Sequence, residues 1–152
     1  MKKFLILLWC VSALWACNNA ETKVTDTPAT TQAEAHGEEH AKLALNNGQK
    51  WKSDESTNKN VQQLQTITTD FAQVENKTMS DYKTVGNRLQ GAADTMIKEC
   101  KMQGADHEAL HLWLEPLLEN VKSLKNATSK NEGSQLVTDI DQHLKMYQQY
   151  FE

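Results

Sequence analysis

Leu110-His111-Leu112-Trp113-Leu114-Glu115-Pro116-Leu117-Leu118-Glu119-Asn120-Val121-Lys122-Ser123-Leu124 is the stretch whose reading decides the fold. Leu110, Trp113 or Leu114, Leu117, Leu118, Val121 and Leu124 recur at intervals of three and four, the spacing that lines one face of an α-helix. Charged and amide side chains fill the opposite face. A helix with one apolar stripe cannot stand alone in water, so it needs partners with stripes of their own. Pro116 falls inside the pattern. It lacks a backbone donor and its ring crowds the preceding turn, which predicts a kink or an end to the first segment near Glu115.

Working outward, Asp106 is the expected N-cap of this helix, and Gly104 the expected stop of the one before it. That earlier helix carries Tyr82, Val85, Leu89, Ala92 or Ala93, Met96, Ile97 and Cys100 on one stripe, with Ser80 as its expected N-cap. Further back, Val61, Leu64, Ile67, Phe71 and Val74 mark a helix capped by Ser53 or Ser56. After it, Ser129 and Glu132 have the spacing of a capping box, ahead of an apolar face of Leu136, Val137, Ile140, Leu144, Tyr147 and Phe151. Period-two alternation of β-branched residues is absent, as is any repeat of fixed period. The expected fold is all-α, an up-down-up-down four-helix bundle over residues 43–152. Ahead of the first helix, Asn46-Asn47-Gly48 is a turn signal, and Trp51 behind it predicts a segment that packs back on the bundle.

The N-terminal region obeys different rules. Lys2 and Lys3 precede the apolar run Phe4-Leu5-Ile6-Leu7-Leu8-Trp9, and residues 1–16 read as a secretory signal too short to remain as a spanning helix. Leu14-Trp15-Ala16-Cys17 resembles the lipobox of bacterial lipoproteins, which implies that Cys17 becomes the lipidated first mature residue. Trp15 is bulkier than that pattern usually carries. Asn18, rather than Asp, follows the cysteine, and by the same resemblance this implies an outer-membrane, periplasm-facing location. Residues 17–42 are rich in Thr, Ala, Glu, Asp and Gln and read as a disordered tether to the membrane. Its tract His36-Gly37-Glu38-Glu39-His40 offers imidazoles and carboxylates, although its composition is equally that of a solvated linker.

Charge and cysteine usage narrow the partners. The formal net charge is −4 at pH 7 with no Lys/Arg cluster, which argues against nucleic acid as a partner. Of the three cysteines, Cys10 belongs to the signal and Cys17 to the lipid, so Cys100 stands as a solitary thiol and no internal disulfide is expected.

Cys100, Met102, His107 and His111 straddle the turn between the second and third helices, and the two histidines share a helix face. Thiolate, thioether and imidazole form a soft donor set, suited to Cu(I) and, through Cys and His, to zinc. Met96, a turn back from Cys100 on the second helix, is an expected neighbour, as are His143 and Met146, because the turn shares its end of the bundle with the start of the first helix and the finish of the fourth. Core packing is the competing explanation for the same residues. His107-Glu108-Ala109-Leu110-His111 also fits the His-Glu-x-x-His pattern of zinc hydrolases, but the extension that would supply a third ligand is missing. Covalent haem is excluded, since no Cys-x-x-Cys-His occurs. Non-covalent haem on Met102 or Met146 with His107, His111 or His143 is a lesser alternative.

Leu45 to Trp51, the motif from Cys100 through Met102, Gly104, His107 and Leu110-His111 to Trp113-Leu114, and the ending Tyr147 to Phe151 together resemble a group of small lipoproteins of Bacteroidota. The resemblance implies origin and architecture and assigns no catalytic residue. The expectation is an envelope lipoprotein that binds a soft metal ion, copper before zinc, and is not an enzyme. The rival is a metal-free adaptor that docks on an envelope protein.

Overall fold

The computed structural model describes residues 42–152; the signal segment, Cys17 and the His36–His40 tract lie outside the described residues. Helix α1 spans Glu55–Ala72, α2 Met79–Glu99, α3 Gly104–Asn126 and α4 Lys130–Tyr150. Each helix packs on the next, α4 closes back on α1, and α2 touches α4 across the diagonal. The result is the all-α four-helix bundle that the periodicity predicts. Among the described residues, no helix is long and apolar enough to cross a membrane.

The predicted stripes supply the core. Val61, Leu64, Ile67 and Phe71 meet Val85, Leu89, Ala93 and Met96, and these meet Leu110, Trp113, Leu114, Leu117, Val121 and Leu124, with Ile140, Leu144 and Tyr147 closing the fourth side. Two expected core residues are exposed. Val74 lies beyond the end of α1, and Ile97 stands on the rim of α2 with 51% of its surface open. The Trp113 indole N–H is buried without a partner among the described residues, a cost that the burial of its rings offsets.

Helix ends differ from expectation in a consistent way. Asp54, rather than Ser53 or Ser56, caps α1, accepting from the Thr57 N–H at 2.6 Å. Thr78, rather than Ser80, caps α2, in a capping box with Asp81. In both cases the serine chosen from the sequence stands within two residues of a better-placed oxygen, and apolar periodicity does not resolve that offset. Helix α2 ends at Glu99 with Cys100 extended, so Gly104 does not stop it. Gly104 instead opens α3 at φ +62°, a left-handed conformation that glycine adopts without strain. Gln103 is the N-cap, and the carboxylate of Asp106 is turned toward Lys52. Ser129 caps α4 as predicted, while the Glu132 carboxylate reaches Thr128 rather than the cap residue itself.

Pro116 neither ends α3 nor divides it, since the helix runs unbroken to Asn126. An internal proline costs about 3 kcal/mol. Leu110, Trp113 and Leu114 before it, and Leu117, Val121 and Leu124 after it, are all buried in one core, at about 1.5–3 kcal/mol each. Breaking the helix would forfeit several of these contacts, so packing outweighs the local penalty.

The segment before α1 is anchored at both ends. Asn46 and Gln49 exchange backbone hydrogen bonds of 2.9 Å around Asn47 and Gly48, both at positive φ, the geometry of a tight hairpin turn. Trp51 pairs with the final residues: its N–H donates to the Tyr150 carbonyl at 2.8 Å and its carbonyl accepts from Glu152 at 3.0 Å. The Ser53 N–H donates to the Glu152 carbonyl at 2.9 Å, and the Trp51 indole donates to the Ala44 carbonyl at 2.7 Å. This strap lies at the bundle end that carries the α2–α3 turn.

Candidate metal centre

Cys100 sits where α2 stops, with its N–H still bonded to the Met96 carbonyl at 2.9 Å. His107 and His111 stand one turn apart on α3. The Cys100 Sγ lies 3.6 Å from His107 Nδ1, and the other ring nitrogen, Nε2, lies 3.0 Å from His111 Nε2. The two imidazoles meet edge to face, with centroids 4.5 Å apart. Thiol, imidazole and imidazole therefore form a row, Sγ to Nδ1 and Nε2 to Nε2, and do not surround one point. Among the described residues, no three His, Cys, Asp or Glu side chains group so as to hold an ion.

The row runs along a recess of about 40 Å³ lined by Met96, Ile97, Cys100, His107, Leu110, His111 and Leu114. That volume suits an ion or a water molecule or two, and is too small for a peptide. Met96 is fully buried beneath it and His111 is exposed at its mouth. A metal with sulfur and nitrogen ligands at about 2.3 and 2.0–2.1 Å on tetrahedral geometry separates them by about 3.5 Å. The Cys100–His107 distance matches that ligand-to-ligand edge. With its proton on Nε2, a neutral His107 donates to His111 and leaves Nδ1 facing the sulfur, the arrangement by which a partner on the far nitrogen fixes a ligating imidazole.

The remaining candidates lie elsewhere. Met102 does not line the recess; its sulfur is 3.8 Å from the Ser53 hydroxyl, on the side of the turn facing the strap. His143 is occupied on another face of α3. Its Nε2 lies 2.7 Å from the Trp113 carbonyl, and its ring stacks on the indole with centroids 5.4 Å apart. Burial lowers its pKa from the ordinary value, against the bond to Trp113, which works in the opposite direction. Neutral His143 is thus a donor to the α3 backbone, one carbonyl along from the Leu112 oxygen that Pro116 leaves without its helical partner. Met146 is on the outer surface of α4, 37% exposed. Of the three expected neighbours, only Met96 lines the recess.

Sequence reasoning missed the residues that hold the turn itself. Asp54 Oδ2 accepts from the Lys101 N–H at 2.6 Å, and Ser56 Oγ lies 2.9 Å from the Glu99 carbonyl oxygen. Partial burial acts to raise the Asp54 carboxyl, but the N–H groups of Thr57 and Lys101 and the hydroxyl of Ser56 outweigh it and hold the pKa at about 2. A cap near residues 53–56 is legible from spacing, but neither its assignment to Asp54 nor the reach of 47 positions to Lys101 is. Behind them, burial pushes Tyr147 up to about 12, and its hydroxyl lies 2.6 Å from Ser53 Oγ and 2.9 Å from Asn58 Oδ1.

In comparisons with protein-family models, with curated proteins and with solved structures, the chain matches none.

Proposed function

We propose that this chain is an envelope lipoprotein, anchored through Cys17 on the periplasmic side of the outer membrane, whose bundle holds a single Cu(I) ion at the α2–α3 turn. The observation that carries the reading is the 3.6 Å pairing of the Cys100 sulfur with His107 Nδ1, over a buried methionine and in an ion-sized recess. Thiolate, imidazole and thioether are the donors that favour Cu(I) over harder ions. The ion takes Cys100 and His107 as ligands, with the Met96 thioether beneath. His111, initially expected to be a ligand, acts by holding the far nitrogen of His107. Met102 has no part in the ligand set, because its sulfur faces the strap. The role is capture or carriage, without turnover.

The test titrates the full-length chain carrying Cys10→Ser and Cys17→Ser, taken as wild type here because Cys100 is its sole thiol, with Cu(I) against a chromogenic Cu(I) chelator. One equivalent is taken up by the wild type, and Cys100→Ser or His107→Ala abolishes uptake while far-ultraviolet circular dichroism stays helical. His143→Gln and Met146→Leu bind as the wild type does. Absence of uptake by the reduced wild-type chain refutes the metal reading. Incorporation of labelled fatty acid, lost in Cys17→Ala, tests the anchor separately.

A further inference from the structure

The residues that lead into α1 grip both halves of the candidate centre. On the α3 side, the Lys52 N–H donates to Asp106 Oδ1 at 2.9 Å, immediately before His107. On the α2 side, the contacts fix the two peptide groups that flank the Cys100 Cα. The first has its N–H on the Met96 carbonyl at 2.9 Å, and its carbonyl, that of Glu99, 2.9 Å from Ser56 Oγ, whose single proton is shared between that carbonyl and Asp54 Oδ1 at the same distance. The second presents the Lys101 N–H to Asp54 Oδ2 at 2.6 Å. With both planes held, the direction of the Cys100 Cα–Cβ bond is set by α1, although α1 contributes no donor to the recess.

The same carboxylate does two jobs with its two oxygens. Oδ1 caps α1 through the Thr57 N–H, and Oδ2 holds the turn. Asn60 reinforces the grip by donating to Glu99 Oε2 at 2.9 Å. The run is itself tied down, because the Ser53 N–H donates to the Glu152 carbonyl and the Tyr147 hydroxyl meets Ser53 Oγ.

We infer that Asp54 is a positioning residue: by holding the Lys101 N–H while it caps α1, it sets the Cys100 sulfur against His107, and Ser56 assists from the Glu99 carbonyl. The inference rests on the copper reading for its consequence, while the positioning of the thiol is measurable without any metal.

Asp54→Asn separates the two jobs. Asparagine caps a helix as well as aspartate does, so α1 keeps its start. Its one carbonyl oxygen takes the place of either Oδ1 at Thr57 or Oδ2 at Lys101, and on the other side the amide nitrogen sets a donor against a donor. In the full chain carrying Cys10→Ser and Cys17→Ser, Cys100 is the sole thiol. Two readouts follow: the alkylation rate of metal-free Cys100 by a neutral maleimide, and Cu(I) affinity by chelator competition. Asp54→Asn is expected to raise the alkylation rate severalfold and to weaken Cu(I) binding by about 10–100-fold, the usual effect of losing an orienting partner, with the helical dichroism unchanged. Alkylation at the wild-type rate overturns the inference. Faster alkylation in a chain whose wild type takes up no Cu(I) sinks the copper reading and leaves the positioning intact. If Asp54→Asn loses its helical signal, Ser56→Ala, which keeps Asp54 and its bonds to the Thr57 and Lys101 N–H groups while removing the hydroxyl beside Asp54 Oδ1 and the Glu99 carbonyl, is expected to accelerate alkylation in the same direction, and wild-type behaviour there also overturns the proposal.

Discussion

Two glycines in this bundle offer a controlled measurement of how tightly its diagonal is packed. Gly133, in the first turn of α4, faces Tyr82 of α2: a Cβ built on it would stand 2.8 Å from Tyr82 Cγ and 3.0 and 3.1 Å from the adjoining ring carbons. Gly91, inside α2, has nothing within 4 Å of the same position. Alanine improves helix propensity at either site by about 0.8–1 kcal/mol. At Gly91 nothing opposes the gain, so Gly91→Ala is expected to stabilise by about that amount. At Gly133 the clash falls near the root of a buried side chain, whose ring also packs edge to face on Phe71 with centroids 5.4 Å apart. Tyr82 therefore cannot swing aside without disturbing the core, and overpacking of this kind costs about 1–3 kcal/mol. The net expectation is that Gly133→Ala ranges from neutral to about 2 kcal/mol destabilising. Because the propensity gain is nearly common to both, the Gly133→Ala and Gly91→Ala variants differ by about 1–3 kcal/mol. Urea unfolding followed by circular dichroism measures both, and Tyr82→Ala, which removes the Cγ, Cδ1 and Cδ2 atoms that the new Cβ would meet, supplies the third corner of a double-mutant cycle. With the ring removed, Gly133→Ala should turn stabilising. Equal stabilisation by both alanines in the wild-type background would refute the diagonal contact as described.

Three further outcomes are expected. Leu117→Ala, at a fully buried position just after Pro116, should cost about 2–5 kcal/mol in urea unfolding, because it removes contacts that hold α3 continuous across the proline. His143 has a folded-state pKa below the ordinary 6.5, so the unfolded chain binds more protons; its contribution to stability is present above pH 6.5 and declines as pH falls through that value toward the folded pKa. His143→Gln, which retains a donor for the Trp113 carbonyl, should flatten that part of the stability profile, and an unchanged profile would count against a neutral His143. Asp54→Ala should cost about 1–2 kcal/mol at neutral pH, from the lost cap and turn bonds discounted for solvent screening. With a folded pKa of about 2 against an ordinary 3.8, the difference between wild type and variant should persist above pH 4 and shrink as the carboxylate protonates below it.

Much of this architecture is legible in the chain because helix periodicity is a local property. Leu64, Leu89, Leu117 and Leu144 are buried for the same reason they are spaced as they are: each belongs to a stripe that repeats with the turn of the helix. The Asn-Asn-Gly turn follows from backbone preferences that need no partner. Helix ends are less legible, since several oxygens of similar chemistry lie within one turn and the fold selects among them, as Asp54 shows against Ser53 and Ser56. Pro116 is the clearest override, where a local rule gives way to burial on both sides of the proline.

The candidate centre divides along the same line. That Cys100, His107 and His111 share one turn of the bundle is a consequence of their spacing, and the sequence alone determines it, along with the four amphipathic helices. Which nitrogen of His107 faces the sulfur, that Met102 turns to the strap and His143 to the α3 backbone, and that Asp54 holds the thiol's peptide from 47 positions away, are decided only by the packed structure. The physical reason is range: periodicity is set by backbone geometry over a few residues, whereas a side chain's direction depends on neighbours that the chain brings together only once the core has closed.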